Sequence, residues 1–88
     1  MQRSRWDIMA RVLFVAKCPE SKTHLMYGAN LSFRQLEKYL EFLLDRDLLR
    51  VSESESKNPK LYIITEKGLS FLKAYHELKE IIGEKKRS

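Results

Sequence analysis

The sequence predicts a mainly α-helical fold that contains one small β-hairpin. Apolar residues recur at helical spacing in three segments of the 88-residue chain, and the clearest segment starts at Ser32. Gln35 follows Ser32 at the distance that a capping box requires, which marks a helix start. A short run with loosely alternating apolar and polar residues, at 48–53, and a run rich in strand-forming residues, at 60–65, lie on either side of a polar stretch at 54–59. This pattern is typical of a hairpin.

The first helix is predicted between Trp6 and Lys17, with Ser4 as its N-cap. Its apolar residues fall on one face, and Trp6 is expected to anchor the core from that face. Pro19 follows the helix and ends it, because the residue before a proline is disfavoured in the helical backbone region.

A second, shorter helix is predicted within residues 20–30. Thr23 is its expected N-cap, and Gly28 is its expected C-terminal stop. Only a tight turn then separates it from the helix that starts at Ser32. Two helices joined by such a short, glycine-containing turn fit a helix-turn-helix.

The third helix lies within residues 30–49 and is the most strongly patterned part of the chain. Its buried stripe consists of leucines at helical spacing, namely Leu36, Leu40, Leu43 and Leu44. Arg34, Gln35 and Lys38 lie off this stripe in the first two turns, so they are expected to face outward. A basic, hydrogen-bonding helix end of this kind can face DNA base edges and phosphates. The alternative is a core helix with a solvated charged face.

The predicted hairpin pairs a strand within 48–53 with a return strand over 60–65, and it follows the third helix as a wing would. Its tip carries groups suited to phosphate or minor-groove contact, namely Lys57, Asn58 and Lys60. Glu53 and Glu55 are also there, and DNA would repel them. A solvated loop is therefore the alternative interpretation of the tip.

The last helix, with Thr65 as its N-cap, has apolar residues on two faces. The first face, with Leu69 and Leu72, is expected to pack on the domain, and Gly83 is expected to end the helix. The second face adds more apolar surface than so small a domain can cover. We therefore expect this face to pair with a second copy of the protein. Its residues are Phe71, Tyr75, Leu78, Ile81 and Ile82.

Composition narrows the possible function. The net charge of +5 and the sequence pI near 9.5 favour a polyanionic partner. The one cysteine, Cys18, cannot form an intramolecular disulfide. We find no nucleophile–base pair, no phosphate-binding glycine loop and no metal-ligand pattern, so we expect no enzyme activity, no cofactor and no metal. No small-molecule effector site is evident either.

A signal peptide and a membrane span are both unexpected. The longest apolar run, at 8–16, is interrupted by Arg11 and is too short to cross a bilayer. We therefore expect no membrane partner, and a cytoplasmic, nucleoid-associated protein.

Three stretches of the chain resemble the archaeal winged helix-turn-helix DNA-binding proteins, in particular the small ten-kilodalton type that dimerises through a C-terminal helix. They are WDIMARVL, GANLSFRQLEKYLEFLLDRDLL and YIITEKGLSFLKAY. The resemblance implies antiparallel pairing of the last helices and two DNA-reading heads in each dimer. Many relatives have glycine where Asp47 stands, and aspartate adopts a left-handed backbone less readily than glycine.

The expected architecture is a winged helix-turn-helix (three helices plus wing) in residues 1–65, followed by a C-terminal dimerisation helix and basic tail in residues 66–88. The expected function is double-stranded DNA binding, sequence-reading or architectural, as a homodimeric transcriptional regulator or chromatin protein. A winged-helix protein-interaction module without direct DNA binding is the alternative, and the acidic stretch 41–56 would suit it.

The candidate DNA-binding residues are Lys22, Thr23, Asn30, Ser32, Arg34, Gln35, Lys38, Lys57, Asn58 and Lys60. Among them, Arg34 or Gln35 is expected to reach base edges. Phosphate contact alone is expected of Lys22, Thr23 and Lys57.

Overall fold

The computed structural model describes residues 3–52 and 60–83, and within them it contains four helices and one two-stranded antiparallel sheet. The elements in chain order are α1 (Arg5–Val15), α2 (Lys22–Ala29), α3 (Phe33–Asp45), β1 (Leu49–Val51), β2 (Tyr62–Ile64) and α4 (Glu66–Ile81). The prediction of a mainly helical fold with a small hairpin is confirmed. No helix in these two ranges is long and apolar enough to cross a membrane.

Three of the four predicted N-caps are confirmed. The hydroxyl of Ser4 accepts a hydrogen bond from the amide of Asp7, and both Ser4 and Ser32 belong to complete capping boxes. Thr65 accepts from the amide of Gly68 at 2.9 Å and starts α4. These caps satisfy amide groups that the first helical turn leaves without partners.

The start of α2 differs from the prediction. Its N-cap is Ser21, whose extended backbone places the hydroxyl 3.3 Å from the amide of His24. Thr23, the predicted cap, therefore lies inside the first turn of the helix. Ser21 is the cap instead of Thr23 because it stands directly before Lys22, the first residue of the helix.

The turn between α2 and α3 is made by Asn30 rather than by glycine. Asn30 has a left-handed backbone with φ of 56°, a conformation that asparagine tolerates better than most residues. Gly28, the predicted stop, lies within α2. A Cβ atom at Gly28 would approach Cγ2 of Val15 to 2.8 Å, so the glycine permits close packing of α1 against α2.

Asp47 takes the left-handed conformation at the turn after α3, with φ of 63°. Its carbonyl oxygen accepts a hydrogen bond of 2.7 Å from the hydroxyl of Thr65, the N-cap of α4. This bond links the end of α3 to the start of α4. Aspartate therefore occupies the left-handed turn here, and a side chain distant in sequence holds that turn in place.

The sheet is wider than its two strands suggest. In the register of β1 and β2, Leu49 faces Ile64 and Val51 faces Tyr62. On the other side of β2, Glu20 and Tyr62 exchange two backbone hydrogen bonds of 3.0 and 2.8 Å. The segment between α1 and α2 thus pairs with the hairpin and fixes the hairpin against the helices.

The core is formed by side chains from all four helices and from both strands. Its largest fully buried side chains are Met9, Val12, Leu13, Leu25, Leu36, Leu43 and Leu49. Trp6 does not belong to it, because 57% of the residue is exposed, so its predicted role as a core anchor is wrong. It lies in the first turn of α1, before the buried stripe begins, and its ring centroid is 6.4 Å from that of Phe71 in α4.

The first turns of α4 pack on the hairpin and on α1. A Cβ atom on Gly68 would lie 2.4 Å from the carbonyl oxygen of Leu48, so only glycine fits this contact. Leu72 is buried as predicted, whereas Leu69 is 44% exposed and does not share its burial. The helix ends before Gly83, which has a left-handed backbone with φ of 75°, as predicted.

Candidate nucleic-acid interface

The first half of α3 carries an exposed basic face. Arg34 and Lys38 are both exposed, and they lie one helical turn apart on the side opposite Leu36 and Leu40, which are buried. The capping box fixes where the helix begins, and therefore fixes the direction of both side chains. The predicted basic face of α3 is thus present as a surface.

Ser32 and Gln35 hold the helix start rather than project from it. The hydroxyl of Ser32 accepts from the amide of Gln35 at 3.1 Å, and Oε1 of Gln35 accepts from the amide of Ser32 at 2.9 Å. Bidentate reading of adenine by Gln35 would need both its amide oxygen and its amide nitrogen. Arg34 is therefore better placed than Gln35 to reach a base edge.

Lys22, at the start of α2, is paired with an acidic residue of α3. Its Nζ atom lies 2.7 Å from Oε2 of Glu37, and this hydrogen bond raises the pKa of Lys22. The same Nζ atom is 5.6 Å from the centroid of the Phe33 ring. The ammonium group thus ties the two helices of the helix-turn-helix together.

A shallow depression between α3 and β2 brings several of these groups together. Its lining includes Lys22, Arg34 and Lys38, all three predicted from the sequence. It also includes Glu37 and Glu41, which were not predicted to be part of the site. The surface is therefore mixed in charge.

The remaining predicted DNA-binding residues are scattered. Thr23 is exposed in the first turn of α2, and Lys60 is exposed just before β2. Asn30 forms the turn, and its carbonyl oxygen accepts a hydrogen bond of 3.0 Å from Arg3. Lys57 and Asn58 lie outside the described residues.

Arg5 is a basic residue near this face that the sequence analysis did not select. It is exposed in the first turn of α1 and lines a groove together with Gln35 and Lys38 of α3. No local pattern signals this proximity, because it joins residues about 30 positions apart in the chain. Arg5 extends the basic surface from α3 onto α1.

Two other arginines near the N-terminus serve the fold instead. Nη1 of Arg3 donates to the carbonyl of Ala29 at 2.7 Å, and Nε of Arg11 donates to the carbonyl of Gly28 at 3.0 Å. These carbonyls lie at the C-terminal end of α2, where helical carbonyl groups lack partners and the helix dipole favours cations. Both arginines therefore stabilise the end of α2 that leads into the turn to α3.

The predicted dimer residues of α4 divide into two groups. Phe71 and Tyr75 are half-buried against the core, and the Tyr75 hydroxyl donates a hydrogen bond to Asp7 of α1. The other three lie toward the end of the helix and are 55%, 79% and 54% exposed, in the order Leu78, Ile81 and Ile82.

Asp7 joins α1 to α4 through two groups. The Tyr75 hydroxyl lowers the pKa of Asp7 to about 2, assisted by the cap contacts of Ser4 and by Lys79, whose Nζ atom is 3.4 Å away. Burial, together with the neighbouring carboxylate, raises the pKa of Tyr75. Both shifts favour the ionised carboxylate paired with the neutral phenol.

The profile of the winged helix-turn-helix family matches residues 2–83. The chain belongs to this family. The uncharacterized protein MJ0287 of Methanocaldococcus jannaschii is 32% identical over 85 residues, which cover 96% of this chain and 81% of that protein. The resemblance to archaeal winged-helix proteins is thereby confirmed.

Two solved structures show the same winged helix-turn-helix architecture. Sso10a-2, a DNA-binding protein from Sulfolobus solfataricus, superposes with a TM-score of 0.81 at 27% identity, over 93% of this chain and 84% of that chain. A PadR family transcription regulator from Clostridium difficile R20291 superposes with a TM-score of 0.76 at 15% identity, over 88% and 91% of the two chains. The second likeness shows the fold alone.

Family membership assigns the elements. In this winged helix-turn-helix, α2 and α3 form the helix-turn-helix, and β1 and β2 are the strands of the wing. The second helix of the motif is the one that such proteins place in the major groove. That helix is α3, which carries Arg34 and Lys38 on its exposed face.

Proposed function

We propose that the protein binds double-stranded DNA with α3 in the major groove, as a transcriptional regulator or chromatin protein. The observation that carries the proposal is the exposure of Arg34 and Lys38 on the first half of a capped helix in the recognition position. The net charge of +5 supports it. So does the likeness to Sso10a-2, which is itself a DNA-binding protein.

The contacts divide into base reading and positioning. Arg34 reads a base edge, because its guanidinium can bond guanine O6 and N7 together. Lys38 and Thr23 contact phosphates, and Arg5 adds a charge from α1. Wing contacts to phosphate or the minor groove come from Lys57, Asn58 and Lys60.

We further propose that the protein is a two-fold symmetric homodimer, with residues 66–88 as the dimerisation element. The support is the exposed group Leu78, Ile81 and Ile82, which leaves apolar surface in water at the end of α4. Trp6 is exposed on α1 beside Phe71, which is another of the residues predicted at the dimer interface. Two linked heads would bind paired half-sites far more tightly than one head.

Binding to duplex DNA over a salt series tests the first proposal. The wild type is expected to bind at low salt. The logarithm of its affinity should fall linearly with the logarithm of the salt concentration, because phosphate contacts release counterions. The variant Arg34→Ala/Lys38→Ala should bind much more weakly. The matched control Lys17→Ala/Lys73→Ala removes the same charge from exposed positions elsewhere and should retain most of the affinity.

One observation favours a second function. Glu37 and Glu41 line the same depression as the cations, and an interface of mixed charge suits a protein partner. A winged-helix protein-interaction module would not bind duplex DNA even at low salt. That result in the salt series would replace the DNA proposal with this one.

A further inference from the structure

Phe33 is an apolar residue on an otherwise polar surface. It occupies the first helical position of α3, next to Arg34, and 57% of it is exposed. The buried stripe of α3 is complete without it, since Leu36, Leu40 and Leu43 fill the core. The fold therefore gives no packing reason for a large aromatic ring at this position.

The ring of Phe33 is held on one side by a cation. Nζ of Lys22 lies 5.6 Å from the ring centroid, and Glu37 fixes that ammonium group through a bond of 2.7 Å. A cation over an aromatic face is attracted by the electron density of the ring. The capping box fixes the backbone on the other side of the residue. The ring is thus pre-positioned, with more than half of the residue left uncovered.

We propose that Phe33 is a specificity-determining residue that contacts the 5-methyl group of thymine in the major groove. The inference rests on the proposed function, because α3 carries Phe33 into the groove together with Arg34. Most groups that base pairs present there are hydrogen-bond donors or acceptors, and the thymine methyl is the apolar exception. A phenyl ring cannot satisfy a polar base edge, and covering one without a partner is costly.

A comparison of thymine with uracil tests this contact directly, because uracil differs from thymine only by the missing methyl group. The probes are a short alternating adenine–thymine duplex and the same duplex with uracil in place of every thymine. In the alternating duplex, every register of the protein presents thymine methyl groups to α3. The wild type should bind the thymine duplex about fourfold more tightly, the value expected for burying one methyl group.

Three variants assign that preference to the ring. Phe33→Ala should bind both duplexes with equal affinity. Phe33→Leu, which keeps an apolar side chain, should retain part of the preference for thymine. The matched control is Tyr27→Ala, which removes an aromatic residue that is 73% exposed on the neighbouring helix and should keep the full preference. Circular dichroism and thermal melting of each variant check that the fold is retained.

Each outcome decides the matter. A wild type that binds both duplexes equally well overturns the methyl contact while leaving DNA binding intact. A Phe33→Ala variant that keeps the thymine preference also overturns the methyl contact. One such result is weaker binding to both duplexes by the same factor, which is expected if the ring of Phe33 is a wedge between base steps. A wild type that binds neither duplex at low salt overturns the proposed function and this inference together.

Discussion

The exposed faces of α3 and α4 differ in how favourably they interact with water. Arg34 and Lys38 of α3 are charged and well solvated, so their face is stable without a partner. Leu78 and Ile81 of α4 are apolar and exposed by 55% and 79%, so contact of their face with water is unfavourable. The basic face is therefore stable without a partner, whereas covering the apolar face would be favourable.

The largest effect is expected from Leu78→Glu on α4. If this face pairs with a second copy, the substitution places two like charges in an apolar seam and separates the dimer. DNA affinity should then fall roughly 100-fold, because each head loses the effective concentration that its linked partner supplies. Sedimentation at micromolar concentration measures the mass, and a binding titration measures the affinity.

His76→Glu is the matched control, since it introduces the same charge two residues away on a different side of the helix. It should leave the mass of the wild type unchanged. A wild type that sediments as a single chain of 10.5 kDa would show that the apolar face of α4 is not a dimer interface.

Arg34→Ala on α3 comes next. Affinity for the preferred sequence should fall about tenfold while affinity for random DNA changes little, because the lost contact is to a base. Lys57→Ala should instead weaken all sequences about equally and reduce the salt slope by roughly one contact. Equal, small effects of the two changes in competition titrations would contradict the placement of α3.

The α3 face could be predicted because its determinants are local. The capping box of Ser32 and Gln35 and the leucine stripe lie within one helix, so the sequence alone sets which side faces outward. The pairing of Lys22 with Glu37 could not be predicted in this way. It joins two helices across a turn whose geometry depends on the left-handed backbone of Asn30.

The surroundings of Phe71 and Tyr75 on α4 could not be predicted in this way, because they depend on another helix. Periodicity placed Phe71 and Tyr75 with Leu78, but α1 supplies Trp6 and Asp7 as neighbours of the first two. Contacts over more than 60 residues of sequence leave no local pattern. The same limit explains why Trp6 was wrongly predicted to be a core residue. Periodicity places Trp6 on the apolar face of α1, but its exposure depends on how far the core extends along that helix.

Asp7→Asn tests the contact between α1 and α4, in which Asp7 accepts a hydrogen bond from Tyr75. The pKa of Asp7 is lowered to about 2 in the folded protein, so its ionised form stabilises the fold at pH values above its ordinary pKa of 3.8. That contribution is lost as the pH falls from about 4 through about 2. The substitution should cost roughly 1 kcal/mol at neutral pH, reduced from the full shift by solvent screening.

Denaturant titrations of the wild type and Asp7→Asn at fixed protein concentration measure this effect. The stability difference between them should be constant above about pH 5 and shrink toward about pH 2. A difference that stays the same over that range would mean that the carboxylate charge does not stabilise the contact of α1 with α4. DNA affinity should be unaffected at neutral pH.

The smallest effect is expected from Glu37→Gln on α3. Removing this carboxylate frees Lys22 from its ion pair and takes one negative charge from the depression. DNA affinity should rise about threefold, and the salt slope should steepen by about one contact. Glu77→Gln is the control, since it removes the same charge from an exposed position on α4. An unchanged affinity for Glu37→Gln would show that Lys22 makes no phosphate contact even when released.

The pairing of Glu20 with Tyr62 has a consequence for aggregation. Because β2 is hydrogen-bonded on both sides, β1 forms the outer edge at that end of the sheet within residues 3–52 and 60–83. An open edge can recruit a strand from another molecule, and natural proteins blunt such edges with short strands and charged side chains. β1 is three residues long, and Arg50 at its centre is exposed. Backbone recruitment at this edge, the route to amyloid-like stacking, is thus disfavoured independently of what covers α4.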